Sequence, residues 1–135
     1  NTIFPRFGLV ALGLCMNPAA LAQAALDRAT LKAELFGVEL SGYEIASKTP
    51  WRECIAPDGT TLYTFAGEVT VGRLTISQTA QACFSYAPTF PGSACFSVSR
   101  EAGGYRFAGG VEGTFVATRV RRGVTACRSE DVPVG

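Results

Sequence analysis

The stretch "QACFSYAPTFPGSACFSVSR", residues 81–100, contains Ala-Cys-Phe-Ser twice, with the cysteines twelve positions apart. Side chains on a strand point alternately to opposite faces. Cys83 and Ser85 therefore share one face while Phe84 and Tyr86 share the other. In the second half Cys95, Ser97 and Ser99 share a face, opposite Phe96 and Val98. Both segments put cysteine on the small, polar side and aromatics on the core side. The pattern predicts a hairpin closed across the connection "APTFPGS" and favours a Cys83–Cys95 bridge. The four-residue echo is too short to signal a repeat architecture.

Outward from this hairpin the chain continues in strands and turns. "GVELSGYEI" alternates, and "WRECIA" runs into "PDGT", where proline presets φ and glycine tolerates a positive φ. "TLYTF", "VTVGRLTIS", "YRFAG" and "GTFVATRVR" follow, separated by short Gly-rich breaks. Closely spaced strands with no room for crossover helices predict an antiparallel meander. The expected fold class is mostly β: a small antiparallel β-barrel or barrel-like sandwich of about seven or eight short strands. One short helix precedes it in residues 25–37, with Asp27 as N-cap, Leu31 and Leu35 spaced i,i+4, and Gly37 as the stop.

Residues 1–24 read as a signal peptide or a retained membrane anchor. Arg6 gives the positive flank, residues 7–16 are an apolar run, and Ala22-Gln23-Ala24 is a small-x-small cleavage pattern. Residues 7–26 also approach the roughly 20 residues that a spanning helix needs. Both readings export residues 25–135, to the periplasm or beyond, or on the periplasmic side of a single-span anchor. A lipobox ending at Cys15 is disfavoured because Leu14 is not small. Four cysteines remain in the exported part, so two disulfides are expected, with Cys54–Cys127 as the second pair. Four cysteines without a C-x-x-C spacing and without histidine make a poor zinc site. The domain reading is then leader 1–24, helix 25–37, β domain 38–123, and a tail 124–135 tied by Cys127.

Composition excludes more than any motif proposes. The 135 residues are 47% apolar and 17% charged with a net charge of +1, which argues for a packed core and against nucleic-acid binding. Histidine is absent, so triad hydrolysis, His-based metal sites and ordinary haem ligation cannot be built from this chain. No cofactor fingerprint, P-loop, calcium loop or nucleophile elbow occurs, so no cofactor, no metal and no catalytic residue is expected. Glu44, Glu53, Asp58 and Glu68 are scattered over separate segments, and no spacing singles out a catalytic carboxylate pair.

Two surfaces remain as partner-binding candidates. Pro88, Phe90 and Pro91 lie in a stiff loop that the hairpin bridge would brace, so ordering on binding would cost little. Arg119, Arg121 and Arg122 form a basic stretch, with Arg119 and Arg121 on a strand face opposite Val116, Thr118 and Val120; a solvated face guarding a strand edge is the simpler use. Trp51, Tyr63, Phe65, Tyr105 and Phe107 form the core or line an apolar cavity.

The ordered features "GVELSG", "APDGT", "GRLTIS", "ACFSY", "ACFSV" and "GGYRF" resemble small uncharacterised bacterial exported (periplasmic) β-meander domains of lipocalin-like character. The resemblance implies a signal segment, a short helix and a meander, and brings no activity with it. The expected function is a non-catalytic exported accessory or binding module with a protein partner in the cell envelope. With residues 7–26 retained in the membrane it would be a periplasmic-side subunit of a membrane complex. Two alternatives stand beside it: a lipocalin-like carrier of a small apolar ligand, and an inhibitor of a secreted hydrolase acting through the 87–93 loop.

Overall fold

In a computed structural model, residues 23–86 and 93–128, together with Gly8 and Gly13, are described. Eight strands follow one short helix: α1 (Arg28–Glu34), β1 (Val38–Glu44), β2 (Pro50–Ile55), β3 (Thr60–Phe65), β4 (Glu68–Ile76), β5 (Ala82–Ser85), β6 (Ser93–Glu101), β7 (Gly104–Gly110) and β8 (Gly113–Arg122). Each strand pairs antiparallel with its sequence neighbours, and β1 pairs with β8, so the sheet closes into a barrel rather than splitting into a sandwich. Closure removes every free sheet edge.

The turns are local chemistry. The β3–β4 and β6–β7 connections have two residues each, Ala66-Gly67 and Ala102-Gly103, all at positive φ between 46° and 82°. That is the primed geometry whose twist matches a hairpin. Between β2 and β3 the Asp58 carboxylate accepts from the Thr60 N–H at 2.9 Å, and Gly59 takes φ +92°. These contacts build the turn that Pro-Asp-Gly foretells.

α1 begins where expected: the Asp27 side chain accepts from the Thr30 N–H at 2.8 Å. Seven residues are too few to hold a helix in isolation. Its stability comes from Leu31 and Leu35, both fully buried in the main core. Arg28 Nε donates to the Ser77 carbonyl beyond β4, and the Leu26 N–H to Val98 on β6. The helix thus stoppers the barrel end that carries the β2–β3, β4–β5 and β6–β7 turns.

Both expected disulfides are present, Cys83–Cys95 and Cys54–Cys127. Cys83 and Cys95 are direct cross-strand partners of β5 and β6, on the outer face that alternation assigned them. Cys127 reaches back to β2, and Val124 packs with Cys54 and Leu62 as a second small core outside the barrel wall. Bridged cysteines fit an oxidising, extracellular-type environment. Among the described residues no helix is long and apolar enough to cross a membrane.

Candidate functional site

The interior is built by alternation. On β2, Trp51, Glu53 and Ile55 face inward, and their partners across the ladder on β3 are Phe65, Tyr63 and Thr61. Beyond β4, the inward residues of β5 include Phe84, whose partner is Leu74. Gly72 on β4 is what makes space for Tyr86: a Cβ there would lie 2.4 Å from the Tyr86 ring and 2.6 Å from the Ser85 carbonyl. Tyr86 stacks on Tyr63 at 5.3 Å and on Phe84 at 6.4 Å, while Trp51 meets Phe107 and Phe115 edge to face at 6.2 and 6.0 Å. Such pairs each add about 0.5–1.5 kcal/mol beyond burial.

These rings do not fill the barrel. They wall a cavity of about 180 Å³ that also meets Glu53, Ala94 and, in the β7–β8 turn, Glu112. Trp51, Tyr63 and Phe107 line it; Phe65 packs beside it, and Tyr105 is buried near the helix end.

Glu53 is the anomaly. It is 2% exposed, in the middle of an aromatic interior. The Tyr86 hydroxyl donates to its Oε1 at 2.8 Å, and its Oε2 has no hydrogen-bond partner. Trp51 Nε1, also in the cavity wall, is equally unpartnered. Burial pushes the Glu53 carboxyl up to about 8. The Tyr86 bond opposes that rise, and Thr61, whose hydroxyl lacks a partner of good geometry, exerts a weaker pull the same way. At neutral pH Glu53 is mostly the uncharged acid. Tyr63 and Tyr86 are raised as well, first by burial and then by the nearby Glu53.

The opposite end treats its carboxylate differently. Glu34, in the last turn of α1, accepts a two-pronged bond from Arg100 and a third from the Tyr105 hydroxyl at 2.7 Å. The Arg100 and then the Tyr105 hydrogen bonds hold it down to about 2.

The remaining candidate residues are dispersed. Arg121 donates to Glu39 at 3.1 Å; Arg122 donates to the Glu34 carbonyl at 3.0 Å and to the Tyr105 hydroxyl at 2.7 Å. Arg119 is exposed on β8. The expected separation of these arginines from Val116 does not hold. A register shift between Ser41 and Gly42 leaves Val116 paired with Tyr43 and Arg119 with Ser41, so both fall on the outer face. Pro88, Phe90 and Pro91 lie outside the described residues, as do the Arg6 flank and the apolar run of the leader. Of the four carboxylates, Glu44 accepts from the Ala46 and Ser47 N–H groups, Asp58 shapes its turn, and Glu68 is exposed. Only Glu53 enters the interior cavity. The sequence reading does not single it out; the signal that could have done so is the alternation Trp51-Glu53-Ile55, one acid on an otherwise apolar face.

No protein-family model matches the chain, and neither a curated protein nor a solved structure shows significant similarity to it. Among the described residues no group of three or more His, Cys, Asp or Glu side chains converges as a metal site.

Proposed function

We propose that the protein is an exported, non-catalytic binding module that carries a small, largely apolar ligand inside its barrel, with the periplasm as its compartment. The aromatic cavity of about 180 Å³ is the observation that carries this reading. A dry cavity of roughly 150 Å³ is enough to take up benzene, whereas pockets for drug-sized ligands run from about 300 Å³ upward. The interior therefore suits a one-ring or short-chain compound. A fatty acid or a polycyclic ligand is too large to be enclosed.

The accessory-subunit and hydrolase-inhibitor readings depend on the Phe90 loop and on Arg119, Arg121 and Arg122. Two of those arginines are engaged by the barrel's own groups, which leaves the interior as the better-supported site.

The test uses Trp51, the single tryptophan, as a reporter in the cavity wall. Titration with benzene-sized compounds should shift its fluorescence saturably. Ala94→Leu, which fills the cavity from β6, should abolish the response while the melting transition stays within a few degrees of the parent. An unresponsive parent protein, together with no bound mass in native mass spectrometry of protein from its own cells, would end the carrier reading.

A further inference from the structure

Resting on that carrier reading, we infer that the cavity is selective for a compact organic cation, a one-ring or short-chain ammonium, whose charge pairs with Glu53. Three observations converge. Glu53 is almost wholly buried, lines the cavity and leaves Oε2 without a hydrogen-bond partner. A lone carboxyl in such a place is costly and gains most from a partner that is itself charged. Among the described residues the cavity lining contains two acids, Glu53 and Glu112, and neither lysine nor arginine, so an anionic ligand finds no cation there to neutralise it. Most of the remaining wall is aromatic, and ring faces attract ammonium groups.

The charges around Glu53 agree in sign. Tyr86 from β5 donates to it, and Tyr63 stands across the β2–β3 ladder. Glu112 from the β7–β8 turn and Glu44 at the end of β1 act on the same Tyr63, both as negative charges. Thr61 and Trp51 complete the surroundings without charge.

The carboxyl must be ionised to pair with a cation, and in the empty cavity it holds its proton up to about pH 8. Binding therefore expels one proton, and affinity should climb about tenfold per pH unit below 8. Alkylammonium probes stay charged through this range, since amines of this kind titrate near the lysine value of about 10.4.

Three isosteric probes, benzylammonium, benzyl alcohol and benzoate, are titrated into the full, disulfide-bonded chain by calorimetry and Trp51 fluorescence at pH 6, 7 and 8. We expect benzylammonium to bind at least tenfold tighter than benzyl alcohol at pH 8, with a gain of about ninefold from pH 6 to 7 and about fivefold from pH 7 to 8, and benzoate to bind least. In Glu53→Gln the benzylammonium preference should shrink to within about threefold and the pH slope should flatten. If that variant does not fold, the slope in the parent protein decides alone. Benzyl alcohol or benzoate matching benzylammonium, or a flat pH profile, overturns the cation inference and leaves the carrier reading standing. No response to any of the three overturns both.

Discussion

Two glutamates of this barrel, one at its helix end and one in its interior, are treated in opposite ways. At the helix end Glu34 is met by Arg100, Tyr105 and Arg122, and its charge is stabilised. Inside, Glu53 has one tyrosine hydroxyl and a wall of rings, and its charge is suppressed. One end is satisfied and stoppered by two leucines. The other region keeps empty volume, an orphan carboxyl oxygen and an orphan indole N–H. Buried polar groups are normally paired. An interior that leaves two of them unpaired, on residues that line one cavity, is built for something other than stability, and perturbed acids gather where ligands act. The contrast separates the part of the molecule that holds the fold from the part that is available for use.

The largest expected effect tests whether the fold can be weakened without touching either glutamate. The Cys54–Cys127 bridge closes a separation of 73 residues and the Cys83–Cys95 bridge one of 12. Chain-entropy estimates put the first at about 4.5 kcal/mol and the second at about 3 kcal/mol. Cys54→Ala with Cys127→Ala should lower denaturant stability by more than Cys83→Ala with Cys95→Ala. Both doubles should keep the parent's pH dependence of stability. A double variant with an altered pH profile would show that the straps shape the interior.

Glu53 supplies the next effect. Its carboxyl sits near 8 in the folded protein and near 4.5 when unfolded, so the folded state binds more protons between those values. Stability is then greatest below about pH 4.5 as far as this group is concerned, and falls by about 1.4 kcal/mol per pH unit up to 8. Urea titrations at half-unit steps should reveal that slope in the parent protein and its loss in Glu53→Gln. An unchanged slope in the variant would remove Glu53 from its place in the contrast.

Glu34 has the opposite sign and a smaller size. Its carboxyl is depressed to about 2, so its contribution is complete above about pH 4.5 and is lost as pH falls toward 2. Arg100 is half exposed, so screening limits the effect to about 1 kcal/mol. Glu34→Gln should flatten the acid limb of the stability curve in 20 mM salt, and less so in 0.5 M salt. The smallest effect is at the turns: Ala66→Asn and Ala102→Asn each place a residue tolerant of positive φ in a two-residue hairpin and should stabilise by a few tenths of a kcal/mol. The two substitutions sit at opposite ends of the barrel. Equal gains would confine the contrast to the interior, where the side chains differ, and exclude the turns.

Most of the fold was legible because its determinants are local. The Cys83–Cys95 register follows from period-two alternation, the Asp58 turn from Pro-Asp-Gly, and the helix start from Asp27. Ring closure was not legible: Glu39 meets Arg121 across 82 positions, and no short window of sequence encodes that contact. The same distance hid the bulge that carries Val116 to the outer face. The candidate site was half visible. Trp51, Tyr63 and Phe107 stood out as aromatics that core or cavity would use. Whether rings from six strands fill a barrel or leave space depends on glycines such as Gly72 and on packing, which a linear pattern does not contain. Glu53 is in plain view on an apolar face but reads, with Glu44, Asp58 and Glu68, as one of four scattered carboxylates, because one strand cannot show what the other walls leave unpaired.

The seam between β1 and β8 has a consequence for biosynthesis. Seven of the eight ladders join neighbours in the sequence, and the eighth, between β8 and β1, fastens the ring. A nascent chain that stops short of residue 113 leaves one flank of Val38–Glu44 and one of Gly104–Gly110 bare of hydrogen-bond partners. Truncated products should therefore stick to one another and be cleared by proteolysis, while the closed sheet of the described residues offers no free strand edge to recruit them.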